Sequence, residues 1–92
     1  MEQRQAHLLI RGKVQGVFFR ESTRQKAQEL SLAGWVRNLQ TGEVEAVAEG
    51  EPTKLEQWIE WCRKGPPLAR VSEVIVTYGD VRGNLKSFSV TE

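Results

Sequence analysis

The strongest constraint on the fold lies in the middle of the chain, where a strand pattern follows a short turn. Within the run from Glu43 to Glu49, Val44, Ala46 and Ala48 share one face, as the two-residue period of a strand requires. Residues 35–39 are rich in β-forming types, and a turn containing glycine separates the two runs. The two segments therefore predict a β-hairpin. The acidic residues predicted to face water are Glu43, Glu45 and Glu49.

A strand and a helix are predicted before this hairpin. Residues 6–14 are apolar on both faces near their middle, which favours a central strand. Ser22 and Gln25 match a capping box, a hydroxyl followed three residues later by glutamine, and predict a helix over about 22–33. Gly34 is predicted to end this helix. The narrow apolar face expected on it consists of Thr23, Ala27 and Leu30, with Ala33 as a further candidate.

A second helix and two further strands are predicted after the hairpin. Pro52 suits the first position of a helix, and Gly65 suits its end. Residues 71–78 are β-branched and predict a strand, and a turn-rich connection leads to a last strand over 86–91. The apolar stripe of the second helix follows the i, i+3, i+4, i+7 spacing and consists of Leu55, Trp58, Ile59 and Cys62.

The predicted order of elements is β-α-β-β-α-β, which is that of an α+β ferredoxin-like sandwich. This fold has an antiparallel sheet with two helices on one face, and we expect the other face to be uncovered. The chain fits a single domain, 1–92, with no room for a separate cofactor domain. Because the first and third elements of each βαβ half are expected to be neighbours, the first loop is predicted to lie near the strand that carries Asn38.

The composition gives no reason to expect a nucleic-acid or membrane partner. The formal net charge is +1, so any strong positive potential must be local. Cys62 is the only cysteine and is expected in the core, while His7 is the only histidine and is expected to be either at the surface or hydrogen-bonded to a neighbour rather than catalytic. No disulfide within the chain and no metal-ligand spacing is possible with this set. The polar amino terminus predicts a cytoplasmic protein, with a monomer as the simpler expectation.

A loop flanked by glycines joins the first strand to the first helix and is the leading candidate for a binding site. Gly12 and Gly16 let the backbone turn where a side chain would clash. The free N–H groups of a helix start attract anions, and Arg20 adds a planar fork of donors suited to phosphate. The residues alone fit a phosphate-binding loop, and they also fit the commoner case of a plain turn with a solvated arginine.

Asn38 is the second candidate, since it is expected beside that loop. Its amide can donate one hydrogen bond and accept another, which suits the positioning of a water next to a bound phosphate. An asparagine in this place also commonly ends a strand or begins a turn. From the residues alone both interpretations stay open.

Two long segments resemble the signature sequences of the acylphosphatase family. They are GKVQGVFFR at 12–20 and GWVRN at 34–38, and two shorter segments, 41–45 and 65–71, resemble later landmarks of that family. The resemblance extends from about residue 6 to residue 90. It implies a ferredoxin-like enzyme that hydrolyses acyl phosphates to a carboxylate and inorganic phosphate, with no metal and no cofactor.

The resemblance also implies roles for individual residues. Arg20 is expected to bind the phosphoryl group, and Asn38 is expected to orient the attacking water. The loop expected to surround the phosphate through its amides consists of Gln15, Gly16, Val17, Phe18, Phe19 and Arg20. Thr41 is expected to support either Asn38 or the turn, and the carboxyl-terminal residues depart from the family's frequent aromatic or basic ending. No pattern indicates which acyl phosphate is the substrate.

Two other interpretations are less favoured. A non-catalytic ferredoxin-like module that binds an anion or RNA would need exposed aromatic residues on its central strands. Here the glutamates of the third strand would repel a phosphate backbone, and Phe18 and Phe19 are expected to anchor the loop in the core. A domain serving a larger carbamoyl-phosphate enzyme is not expected, because no sequence follows residue 92.

Overall fold

The computed structural model describes residues 2–91, which form one sheet of five strands and two helices. In chain order the elements are β1 (Arg4–Lys13), α1 (Phe19–Glu29), β2 (Ala33–Asn38), β3 (Val44–Gly50), α2 (Pro52–Lys64), β4 (Arg70–Gly79) and β5 (Phe88–Val90). The strands lie in the order β4-β1-β3-β2-β5. Across these described residues, no helix is long and apolar enough to span a membrane.

The predicted α+β ferredoxin-like fold is confirmed, with two corrections to the sheet. The sheet is mixed rather than wholly antiparallel, because β5 runs parallel to β2 along the edge. In addition β1 and β2 are not neighbours, since β3 lies between them and pairs antiparallel with both. β3 is therefore the central strand of the sheet.

The core lies between the sheet and the two helices. Alternate residues of the three central strands face the helices and are fully buried: Ala6, Leu8, Ile10, Val36, Val44, Ala46 and Ala48. From α1, Thr23 and Ala27 face them, and α2 contributes its whole predicted stripe. The indole N–H of Trp58 donates to the carbonyl oxygen of Thr23 at 3.3 Å and links the two helices. Both helices therefore cover the same face, as predicted.

The first helix begins earlier than the capping-box pattern predicts. Phe18 occupies the N-cap position, and Phe19 is the first helical residue. The amide of Ser22 already donates to the carbonyl oxygen of Phe18 at 3.1 Å, so Ser22 lies inside the first turn rather than at the cap. The helix ends at Glu29, so Ala33, a candidate for its apolar face, is instead the first residue of β2. The prediction was wrong because burial of the Phe19 ring fixes the first turn, and a local cap pattern does not register such a tertiary contact.

Gly34 does not end a helix but lies in β2, where the backbones of β2 and β3 come very close. A Cβ atom at this position would lie 1.9 Å from the carbonyl oxygen of Val47. Gly34→Ala is therefore expected to destabilise the fold by about 3 kcal/mol, because the paired strands must shift to make room. Thermal unfolding measures this, with Gly79→Ala as the control, since a Cβ at Gly79 meets nothing within 4 Å. Equal unfolding temperatures for the two variants would contradict the close approach.

The sheet face opposite the helices is partly covered, which corrects the expectation of an uncovered face. β4 and β5 lie at opposite edges of the sheet, so the connection 80–87 has to cross this face. The amide of Arg82 and the side chain of Gln5 each donate to the carboxylate of Glu49 at 2.8 Å. Glu49 is accordingly 6% exposed and does not face water.

Glu45 lies on the same sheet face and is also held by neighbouring side chains. Arg37 donates to its carboxylate at 2.7 Å, and Nε2 of His7 lies 2.8 Å from the other carboxylate oxygen. The hydrogen bond with His7, with a further contribution from Arg37, holds the pKa of Glu45 below its ordinary value. The guanidinium of Arg37 also lies 5.3 Å from the ring centroid of Trp35. On the sheet face opposite the helices, these charged side chains are therefore held by hydrogen bonds and ion pairs with one another.

Candidate active site

The loop between β1 and α1 leads into a helix start that no side chain caps. Residues 14–18 form the loop, and among the described residues no side chain donates or accepts a capping hydrogen bond at the amino terminus of α1. The first N–H groups of the helix are therefore available to an acceptor that is not part of the chain. Together with the positive end of the helix dipole, they form a place where an anion is stabilised.

Two neighbouring phenylalanines at the end of this loop have opposite environments. The ring of Phe19 is buried and packs against Trp61, with ring centroids 5.9 Å apart. Phe18 has φ 63° and ψ 23°, in the left-handed region, and is 77% exposed. That conformation costs a bulky residue on the order of 1–2 kcal/mol. The expectation that both phenylalanines anchor the loop in the core is thus correct for Phe19 and wrong for Phe18.

The strand register brings the loop and Asn38 to the same end of the sheet. Asn38, the last residue of β2, pairs with Val44 of β3, and Ile10 of β1 pairs with Val44 from the other side. Because β1 and β2 both run antiparallel to β3, their carboxyl ends point in the same direction. The loop after β1 therefore lies near the end of β2, as predicted, although the two strands are not adjacent.

Gln15 connects the loop to the hairpin turn that follows Asn38. Its side-chain amide donates to the carbonyl oxygens of Leu39 at 2.8 Å and Glu43 at 2.9 Å. The turn is closed by the amide of Leu39, which donates to the carbonyl oxygen of Glu43 at 2.8 Å. The Thr41 hydroxyl donates to the Glu43 carboxylate at 2.8 Å, so Thr41 supports this turn. The Gln15 side chain is thus used to hold the loop against the turn.

A cleft of about 410 Å³ opens between the loop, the start of α1 and the end of β2. Its lining consists of Val14, Gly16, Phe18, Phe19, Arg20, Glu21, Asn38 and Val90. The two leading candidates from the sequence, Arg20 and Asn38, therefore lie in one cleft together with three of the predicted loop residues. Gln15 and Val17 do not line it, because the Gln15 side chain is bound to the hairpin turn and Val17 is buried.

The amide oxygen of Asn38 is buried and lacks a partner within the described part of the chain. No group among residues 2–91 donates a hydrogen bond to this Oδ1 atom. Leaving a buried polar atom unpaired costs roughly 1–3 kcal/mol. An unpaired acceptor of this kind at the edge of a cleft is therefore suited to a hydrogen from a water or a ligand.

Glu21 places a carboxylate in the cleft, and Arg24 neutralises it. Arg24 donates to the two carboxylate oxygens of Glu21 at 2.6 and 2.5 Å, one helical turn further along α1. This hydrogen bonding holds the pKa of Glu21 below its ordinary value, so the carboxylate is a weak base. Arg20 also lines the cleft, and none of the described ion pairs includes it. Its guanidinium therefore has no carboxylate partner among the described residues.

Three residues that line the cleft, Val14, Glu21 and Val90, are not among the site residues predicted from the sequence. Val90 reaches the cleft because β5 pairs with β2 in parallel, with Val90 opposite Val36. No local pattern could indicate this, since the pairing joins segments more than fifty residues apart. Glu21 could have been found, because it directly follows Arg20 and belongs to the first turn of a helix that starts at Phe19.

The chain's other reactive side chains lie away from the cleft. Cys62 is buried on α2, and this burial raises the pKa of its thiol far above the ordinary value. His7 lies on the opposite face of the sheet beside Glu45. Over the range 2–91, no three side chains of the His, Cys, Asp or Glu type are grouped so that they could hold a metal ion.

The cleft belongs to a chain that matches one family over nearly its whole length. The model of the acylphosphatase family matches residues 6–90. The chain belongs to the acylphosphatase family. An acylphosphatase of Syntrophobacter fumaroxidans is 50% identical over 91 residues, which are 99% of this chain and 94% of the relative.

Two solved acylphosphatases also share the fold of this family member. The crystal structure of acylphosphatase from Bacillus subtilis has a TM-score of 0.94 and 34% identity, covering 97% of this chain and 99% of that one. The structure of an acylphosphatase from Coxiella burnetii has a TM-score of 0.91 and 47% identity, covering 98% and 94%. The family and the class of enzyme predicted from the two signatures are thereby confirmed: the chain is an enzyme that hydrolyses acyl phosphates. A non-catalytic anion- or RNA-binding module is not favoured.

Gln15 offers a direct test of how the loop of this acylphosphatase is held. Gln15→Leu keeps a similar size but removes both hydrogen bonds to the hairpin turn, so we expect kcat/KM to fall about ten-fold as the loop loses its position. Benzoyl phosphate hydrolysis measures this. Gln25→Leu is the control, since Gln25 lies exposed on α1 and outside the cleft. Identical kinetics for the two variants would show that the hydrogen bonds from Gln15 to the hairpin turn do not contribute to catalysis.

Proposed function

We propose that this acylphosphatase catalyses attack of water on the phosphorus atom of an acyl phosphate without a metal ion. The bond between phosphorus and the bridging oxygen breaks, and its electron pair leaves with the carboxylate. The water oxygen becomes the fourth oxygen of inorganic phosphate. The observation that carries the proposal is the cleft in which Arg20, Asn38 and the uncapped start of α1 come together. Phosphoryl transfer depends mainly on positioning and on stabilisation of charge, and these groups can supply both.

Arg20 is proposed to hold the phosphoryl group. It is the second residue of α1, so a guanidinium and the free N–H groups of a helix start border the same cleft. Arg24, one turn later, is engaged with Glu21, whereas no described ion pair includes Arg20. A guanidinium binds two phosphate oxygens at once and remains charged at every relevant pH. The loop amides, including those of Gln15 to Phe19, are proposed to bind the remaining oxygens.

Asn38 is proposed to orient the attacking water. Its buried amide oxygen has no donor within the described chain and could accept a hydrogen from that water. The amide nitrogen can donate to the water or to a phosphoryl oxygen. The position at the end of β2 is rigid, because β3 pairs on one side and Gln15 holds the following turn. A fixed water in line with the bond that breaks lowers the entropic cost of attack.

The proposed reaction needs neither a general acid nor an enzyme base. A carboxylate leaving group has a conjugate acid with a pKa of about 4, so it departs unprotonated. We propose that the proton of the attacking water passes to a phosphoryl oxygen of the substrate. Glu21 is the one carboxylate in the lining of the cleft, and its low pKa makes it a poor acceptor for that proton.

The source of the proton acceptor can be tested with Glu21→Gln. If the substrate takes the proton, the variant should keep kcat within about two-fold of the wild type. The pH profile of kcat should also show no enzyme group with a pKa of about 6 to 7. A loss of about 100-fold in Glu21→Gln, or a bell-shaped profile with such a pKa, would assign the role to the enzyme instead.

The proposed metal-free reaction is tested by hydrolysis of benzoyl phosphate in EDTA. We expect the wild-type protein to turn over at the same rate with EDTA as with added Mg²⁺. Loss of turnover in EDTA, with recovery on adding a divalent ion, would overturn the metal-free part of the proposal. No turnover under either condition by a folded protein would overturn the reaction itself.

We further propose that the enzyme acts as a cytoplasmic monomer and does not bind nucleic acid. The absence of nucleic-acid binding is supported by the small net charge, and also by the paired glutamates Glu45 and Glu49 on the sheet face that an RNA would have to contact. Sedimentation at micromolar concentration should give a single species with the mass of one chain. A dimer would contradict the proposal.

A further inference from the structure

The cleft has an apolar border that phosphate binding does not require. Phe18 lines it and is 77% exposed, and Val90 of β5 also lines it and is 40% exposed. A phosphoryl group is bound by positive charge and by N–H donors. The side chains of Phe18 and Val90 have no charge and no donor. Large apolar side chains at the surface of a concave site gain free energy when a ligand covers them.

The backbone at Phe18 is arranged to keep this ring at the cleft. Its left-handed conformation separates it from Phe19, whose ring turns into the core. Such a conformation is unusual for an aromatic residue, and where it persists it commonly belongs to a functional site. Asn, Asp or Gly would adopt this conformation more readily. We therefore infer that the exposed phenylalanine ring contacts a ligand.

We propose that Phe18 and Val90 bind the acyl group of the substrate, and that this enzyme prefers acyl phosphates whose acyl group is aromatic or extended and apolar. The inference rests on the proposed function, since it takes the phosphoryl group to lie at Arg20 and the start of α1. Phe18 is the N-cap of that helix and lines the same cleft, so its ring is next to the proposed phosphate site. Covering the ring and Val90 with an apolar acyl group removes both from water.

The test compares benzoyl phosphate with acetyl phosphate in the wild type and in two variants of Phe18. Phe18→Asn is polar and tolerates the left-handed conformation, and Phe18→Leu keeps an apolar side chain. The measured quantity is kcat/KM for benzoyl phosphate divided by kcat/KM for acetyl phosphate. Any common effect on the phosphate loop cancels in this ratio. We expect Phe18→Asn to lower the ratio about five-fold relative to the wild type, and Phe18→Leu to change it less than about two-fold.

A second measurement uses the wild type alone and does not depend on the folding of a variant. Phenylphosphonate and methylphosphonate share a charged head and differ only in the apolar group. We expect phenylphosphonate to inhibit competitively with an inhibition constant at least about five-fold lower. Equal inhibition by the two, or an unchanged ratio in Phe18→Asn, would overturn the inference. Failure of the wild type to hydrolyse either acyl phosphate would instead overturn the proposed function.

Discussion

Replacing Asn38 with alanine is expected to lower kcat for benzoyl phosphate by about 100- to 1,000-fold. The affinity for inorganic phosphate should change by less than about three-fold, because the amide is proposed to hold the water and not the phosphate. The physical basis is the buried Oδ1 atom, which has no donor from the described residues and lies in the same cleft as Arg20. Steady-state kinetics gives kcat, and competitive inhibition by phosphate gives the affinity.

Two controls separate this role from a general loss of structure. Asn84→Ala removes an asparagine on the opposite face of the sheet and should leave kcat at the wild-type value. Thermal unfolding shows whether Asn38→Ala remains folded. If phosphate affinity fell in Asn38→Ala as strongly as kcat, Asn38 would be a phosphate ligand and the role assigned to it would be wrong.

Replacing Arg20 with alanine is expected to weaken phosphate binding and turnover together. The Arg20 guanidinium lines the cleft and has no carboxylate partner in the described ion pairs. Its removal leaves only N–H groups to balance the phosphoryl charge. By analogy with arginines that stabilise a transferring phosphoryl group, kcat/KM should fall by about 1,000-fold or more. The inhibition constant of phosphate should rise in the same variant.

Arg63→Ala is the matched control for the loss of one arginine. Arg63 lies on α2, 3.8 Å from Glu60, and does not border the cleft, so we expect wild-type kinetics from it. Arg20→Lys tests the geometry, since an ammonium keeps the charge but not the planar fork. We expect it to recover only part of the loss. Normal phosphate inhibition in Arg20→Ala would exclude Arg20 as the phosphate-binding group.

The periodic parts of the fold could be predicted because their patterns are local. The β3 run gave the buried residues Val44, Ala46 and Ala48, and the α2 stripe from Leu55 to Cys62 is buried as its spacing predicts. Predictions failed where a distant contact decides the outcome. Burial of Phe19 moves the start of α1, and pairing with β3 places Gly34 in a strand, next to the backbone of Val47. The connection that crosses the sheet buries Glu49, which the alternating pattern alone places in water.

The two main residues of the candidate site could be predicted from the sequence. The hydrogen bonds that hold the loop near Asn38 and the apolar residues that line the cleft could not. Arg20 and Asn38 were identified by residue type and by signature, and the topology places them in one cleft. The side-chain bridge from Gln15 to the turn depends on the register of strands that are distant in sequence. Val90 reaches the cleft through a parallel pairing, and the exposure of Phe18 depends on a single positive φ angle. Neither has a signal in the local sequence.

Hydrolysis of benzoyl phosphate in ¹⁸O-labelled water shows whether this enzyme directs the attacking water to phosphorus. The reaction is run in EDTA, and the labelled oxygen is located in the products by mass spectrometry. Attack on phosphorus places the label in inorganic phosphate and leaves benzoate unlabelled. Label in benzoate would mean attack on the carbonyl carbon, and the roles given to Arg20 and Asn38 could then not stand.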